Sequence, residues 1–106
     1  MQALADDIAA IRAVARGDHD ALARLYDRYS RSCYGFALRM LGSEPDAEEV
    51  VQETFLRAWR SAASYDPARS SVSSWLLAIT RNLCIDELRR RRRNVASAPI
   101  DDASPL

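Results

Sequence analysis

The stretch Trp75-Leu-Leu-Ala-Ile-Thr-Arg-Asn-Leu-Cys-Ile-Asp-Glu-Leu-Arg89 begins as an apolar run and leads into five consecutive arginines, residues 89–93. Trp75, Leu76, Ile79 and Leu83 recur at helical spacing within about a third of the circumference, which predicts a core-facing stripe. Arg81, Asn82, Ile85, Asp86, Arg89 and Arg93 turn the other way. A helix with this gradient places its first half in a core and points its second half at something anionic. Guanidinium and carboxamide groups match phosphates and base edges through forked donors and acceptors. A solubilising helix end that complements the helix dipole explains the arginines equally well.

Immediately upstream lies a loop. Asp66-Pro67 marks a turn, and Tyr65 sits among Ser64, Ser70, Ser71, Ser73 and Ser74. An aromatic ring beside small hydrogen-bonding side chains can stack and hold an unpaired base; the same tyrosine also suits a lid over the core. Before the loop, Ser43-Glu-Pro-Asp46 reads as a helix start, with a capping serine, a first-turn proline and acids at the dipole's positive end. The helix that follows buries Ala47, Val50, Val51, Thr54, Phe55, Ala58 and Trp59. Its opposite face carries Glu49, Gln52, Glu53, Leu56 and Arg60, at i, i+3, i+4, i+7 and i+11. Rim charges around an exposed leucine suit the docking of a basic helix, and an ordinary solvated face has the same spacing.

Further upstream, Leu22, Leu25, Tyr26, Tyr29, Cys33, Phe36, Ala37, Met40 and Leu41 form a long helical stripe, started by Asp18 and ended by Gly42. Its polar side bears Arg24, Arg28, Arg31 and Arg39, and the first three form a weak candidate track for a nucleic-acid backbone. A first short helix uses Leu4, Ile8, Ile11 and Val14 or Ala15 and stops at Gly17. The pattern predicts an all-α, compact bundle of about four helices, over about 5–16, 19–41, 45–62 and 72–93. Residues 1–93 make one domain. Residues 94–106, rich in small, acidic and proline residues, read as a flexible C-terminal linker.

Composition narrows the function. A chain of 106 residues supports a single core without staples. Cys33, Cys84 and the lone His19 make neither a zinc set nor a disulfide framework; buried free thiols fit a reducing, cytoplasmic setting. No signal peptide opens the chain, and no apolar run approaches the ~18 residues of a membrane span. Formal net charge is zero, yet residues 44–53 hold five acids and no base while 89–93 are all basic. Charge separated in this way serves two different partners. All fifteen basic residues are arginine, the better reader of phosphates and base edges. With no catalytic triad, no glycine-rich phosphate loop and no metal-ligand cluster, the chain reads as a non-enzyme that needs no cofactor or metal.

Three motifs in this order resemble region 2 of bacterial sigma factors of the sigma-70 family, in the extracytoplasmic-function (ECF) group. They are Asp46-Ala-Glu-Glu-Val-Val-Gln-Glu-Thr-Phe-Leu-Arg-Ala-Trp59, Tyr65-Asp-Pro67, and the stretch from Trp75 to Arg89. The likeness runs from Asp18 to Arg93. It implies that Glu49, Gln52, Glu53, Leu56 and Arg60 bind core RNA polymerase, on the coiled coil of its largest subunit. It also implies that Tyr65, Asp66, Ser70, Ser71, Arg81, Asn82, Asp86, Arg89, Arg90 and Arg93 contact promoter DNA. There the loop of about 64–74 and the last helix read the minus-ten element as the strands part, with a non-template base flipped into the loop at a cost of a few kcal/mol. An anti-sigma factor is the further partner implied, and the linker reads as leading toward a region 4 that is absent from this sequence. Primary members carry a pair of neighbouring aromatics at the melting edge. Here only Trp75 stands there, read as mainly structural, which weakens intrinsic melting. The alternative reading is a free-standing duplex-DNA-binding regulator using the arginine helix; a helical protein-interaction adaptor is a third.

Overall fold

Capping side chains and two left-handed glycines mark several of the helix starts and stops. The computed structural model describes residues 2–97. It contains α1 (Gln2–Ala15), α2 (His19–Leu41), α3 (Glu44–Ser61), a single 3-10 turn (Ala62–Ser64) and α4 (Val72–Ser97), with no strand among the described residues. Gly17 adopts φ 93° and Gly42 φ 66°, a region that costs an L-residue with a Cβ but not glycine. The Gly42 amide donates to the Leu38 carbonyl at 2.8 Å, closing α2. Asp18 caps α2 by accepting from the Ala21 amide at 3.1 Å, and Ser43 caps α3 by accepting from the Asp46 amide at 3.3 Å.

Helices α2, α3 and α4 pack on one another pairwise, and α1 lies mainly across α2 and the 3-10 turn. One part of the core joins Ile11 and Val14 of α1, Leu25 and Cys33 of α2, Val51 and Phe55 of α3, and Val72 and Leu76 of α4. Ala37, Leu41, Ala47, Val50 and Cys84 form the other part. Burying a side chain such as Leu25 or Leu76, each 1% exposed or less, stabilises the fold by about 1.5–3 kcal/mol. Both cysteines are free and buried, and burial pushes each thiol up from its ordinary pKa.

The core stripe on α4 is displaced from the expected one. Val72, Leu76, Thr80 and Cys84 are buried, whereas Trp75, Ile79 and Leu83 are only half-buried. The reason is a polar contact inside the core. Thr80 Oγ1 donates to the Leu76 carbonyl at 3.0 Å and lies 3.0 Å from Thr54 Oγ1, which bonds the Val50 carbonyl at 2.8 Å. With its hydroxyl satisfied, threonine fills an apolar seam without a desolvation penalty.

The stripe on α1 is displaced too. Leu4 is 50% exposed, Ala15 is exposed and Ile8 is half-buried, while Asp7 is 1% exposed among Ala10, Ile11, Ala13 and Val14. The Asp7 carboxylate accepts from the Arg28 guanidinium and from the Tyr29 hydroxyl. Burial, then the bond to Asp7, pushes the Tyr29 phenol up to about 12. Two further expectations shift. Residues 94–97 are helical, continuing α4 beyond the expected end at 93, and α1 begins at Gln2, ahead of the expected start at about 5. The remainder of the expected linker, 98–106, lies outside the described residues.

Candidate functional site

Helix α3 starts where Ser43 and Pro45 direct it and buries Ala47, Val50, Val51, Thr54, Phe55 and Ala58. That burial leaves Glu49, Gln52 and Leu56 exposed on the outer face, with Glu53 half-buried. Leu56 is 48% exposed, a large apolar side chain with water on half its surface. Between this face and α4 runs an open groove of about 600 Å³. From α3 it is lined by Asp46, Glu49, Val50, Gln52, Glu53 and Leu56, and from α4 by Leu83, Asp86, Glu87, Arg90 and Arg93. Five carboxylates face two guanidiniums, so the groove attracts cations around an apolar floor. Gln52 also lines a second groove, with Tyr26, Ser30, Arg31, Tyr34, Glu48 and Val51, and so stands on the crest between the two. Arg60 does not line the first groove; it lies 3.8 Å from Glu53, which Arg57 also approaches at 3.6 Å.

The structure divides the α4 residues singled out in the sequence. Asp86, Arg90 and Arg93, at i, i+4 and i+7, face the groove. Arg81, Asn82 and Arg89 are exposed but line no part of it. Arg92 is exposed and continues the row of Arg81, Ile85 and Arg89 at i+11; that spacing is visible in the sequence but is obscured by the unbroken arginine run. Arg91 turns inward. It donates to the Leu41 carbonyl at 2.9 Å, to Glu87 at 3.2 Å and to Asp46, tying α4 to the α2–α3 turn. Arg90 forks onto Glu87, at 2.9 and 2.7 Å, and this bond holds the Glu87 carboxyl below its usual range against the opposing effect of burial.

The loop is closely folded. Asp66 Oδ1 accepts from the Ala68 amide at 2.9 Å, an Asx-turn, and the Asp66 carbonyl accepts from Arg69 at 3.0 Å. Ser71 Oγ accepts from the Ser74 amide at 3.2 Å and caps α4. Tyr65 donates its hydroxyl to the Ser70 carbonyl at 2.7 Å and sets its ring against Trp75, centroids 5.4 Å apart at 62°. Half-buried in this way, its phenol is pushed up by burial. Tyr65 therefore braces the loop, and Asp66, Ser70 and Ser71 are shaped around it. The candidate track on α2 is dispersed: Arg28 is bound to Asp7, and Arg31 faces the second groove.

A family model for sigma-70 region 2 matches residues 25–94, from the first third of α2 to near the end of α4. The chain belongs to the sigma-70 family as an ECF-type region 2 domain. It is 42% identical over 79 residues to the ECF RNA polymerase sigma factor SigK of Mycobacterium sp. (strain KMS), covering 74% of this chain and 41% of that one. It is 40% identical over 82 residues to the ECF RNA polymerase sigma factor SigW of Bacillus subtilis (strain 168), covering 77% and 43%. The chain thus spans about half the length of the curated relatives it matches, between 41% and 58%. Among solved structures, an engineered region 2 of sigmaE in complex with GTAAAA superposes with a TM-score of 0.74. That protein is 31% identical, and the match covers 83% of this chain and 90% of that one. The polymerase-contact and promoter-contact residues named from the sequence all fall inside the span matched by the region 2 family model, whereas α1 and Arg24 of the candidate α2 track lie outside it. No described helix is long and apolar enough to cross a membrane.

Proposed function

We propose that this domain brings core RNA polymerase to promoters and reads the minus-ten element as single-stranded non-template DNA. The outer face of α3, with Glu49, Gln52, Glu53 and Leu56, takes the coiled coil of the largest polymerase subunit; Arg60 adds a rim contact. The loop residues Tyr65, Asp66, Ser70 and Ser71 and the α4 residues Arg81, Asn82 and Arg89 take the DNA strand, and Asp86, Arg90 and Arg93 border it from the groove side. An anti-sigma factor covers the same faces to silence them, in the cytoplasm and without membrane contact by this domain. One observation carries the reading: in a region 2 fold, an acidic groove with an exposed leucine on α3 lies beside an arginine–asparagine face on α4. The Thr54–Thr80 contact, at 3.0 Å, holds those two helices in register.

A pull-down with core RNA polymerase tests this, comparing wild type with the Gln52→Ala/Glu53→Ala double variant. The double variant should lose at least about tenfold in affinity, roughly 1.4 kcal/mol. Failure of wild type to bind, or binding untouched by the double change, refutes the assignment. Tight binding to duplex DNA in the absence of polymerase favours the free-standing regulator instead.

A further inference from the structure

Resting on the nucleic-acid reading of α4 given above, we propose that Glu87 masks Arg90, so that an ion pair within the domain holds down its affinity for single strands. The two groups form a fork, Arg90 Nε to Glu87 Oε1 at 2.9 Å and Arg90 Nη2 to Oε2 at 2.7 Å. A phosphate uses the same two parallel donors, so Arg90 must leave Glu87 before it engages a strand in that geometry. Arg91 also donates to Glu87, but it is anchored separately on the Leu41 carbonyl and Asp46. Loss of Glu87 therefore frees one guanidinium and leaves the other in place. Arg89, Arg92 and Arg93 make no ion pair among the described residues, so they set the baseline affinity that Arg90 adds to.

The mask faces the groove. Glu87 lines it opposite Glu49 and Glu53, and its side chain is 20% exposed, open enough to accept a second partner. A cationic side chain docked in the groove pairs with Glu87 and releases Arg90 toward the strand. By linkage, docking in the groove and binding of the strand then strengthen each other by the same factor.

The test is fluorescence anisotropy of a labelled single strand of mixed sequence, titrated with wild type, Glu87→Gln, Arg90→Gln and the double variant across a range of salt. Glu87→Gln should bind roughly three- to tenfold more tightly, with the slope of log K on log salt steeper by about 0.7, one additional phosphate contact on a single strand. The gain should vanish in the Arg90→Gln background. No gain, or a gain that persists without Arg90 and so reflects only the lost negative charge, overturns the masking while leaving the nucleic-acid reading intact. Absence of binding by every variant overturns both. Thermal melts verify that each variant is folded, and Glu87→Ala repeats the test should the glutamine disturb the α4 surface.

Discussion

Replacing Asp7 with alanine tests the contact that most changes the picture of α1. The carboxylate is 1% exposed and accepts from both Arg28 and Tyr29. Truncation leaves the Tyr29 hydroxyl, half-buried, without its acceptor, at a cost of about 1–3 kcal/mol. The Arg28 side chain is 43% exposed, so water re-solvates it and the heavier penalty for an orphaned buried charge does not apply. Alanine returns about 0.5 kcal/mol through helix propensity. The net expectation is a loss of about 1.5 kcal/mol, which lowers Tm by roughly 6–12 °C in a domain of this size. Leu4→Ala, one turn away on a half-exposed leucine, should cost under about 0.5 kcal/mol. Urea denaturation followed by far-ultraviolet circular dichroism at pH 7 measures both. A change at Asp7 within 0.5 kcal/mol of wild type, or a larger loss at Leu4, would refute the reasoning.

Alkaline pH should destabilise the domain. The Tyr29 phenol is raised to about 12 in the folded state, above the ordinary value near 10, so its contribution is full below pH 10 and is lost as pH rises toward 12. The slope from one such group is at most about 1.36 kcal/mol per pH unit. Tyr29→Phe should reduce the slope by about that much, leaving the decline from Tyr34, Tyr65, Cys33 and Cys84, which burial also raises; an unchanged slope would mean that Tyr29 does not contribute. The Thr54–Thr80 pair should behave as a unit. Thr54→Val and Thr80→Val should each cost about 1 kcal/mol, with the double variant costing less than the sum because either single change already removes the contact they share. Strict additivity in a urea-melt cycle would show that the 3.0 Å contact has no energetic content.

The helices, and those ends marked by a cap or a glycine, were legible in the sequence because such signals are local. The caps Asp18 and Ser43, the terminators Gly17 and Gly42, and the apolar rows of α2 and α3 each act within a few residues of themselves. The exposure of Glu49, Gln52 and Leu56 followed from the same row, as its opposite face. Reading apolar residues as core failed where a polar side chain meets its partner from another helix. Asp7 and Thr80 are buried because Arg28, Tyr29 and Thr54 reach them, over separations of 21, 22 and 26 residues.

The arginine run shows the division most clearly. Sequence by itself determined that residues 89–93 extend a helix carrying concentrated positive charge. Only the tertiary structure decided what each one does: Arg91 is spent on the α2–α3 turn, Arg90 on Glu87, and Arg89 and Arg92 remain on the row of Arg81. Periodicity assigns a side chain to a face, because 3.6 residues make a turn. It carries no information about which carboxylate or carbonyl, 45 or 50 residues away in Asp46 and Leu41, folding will place opposite that face.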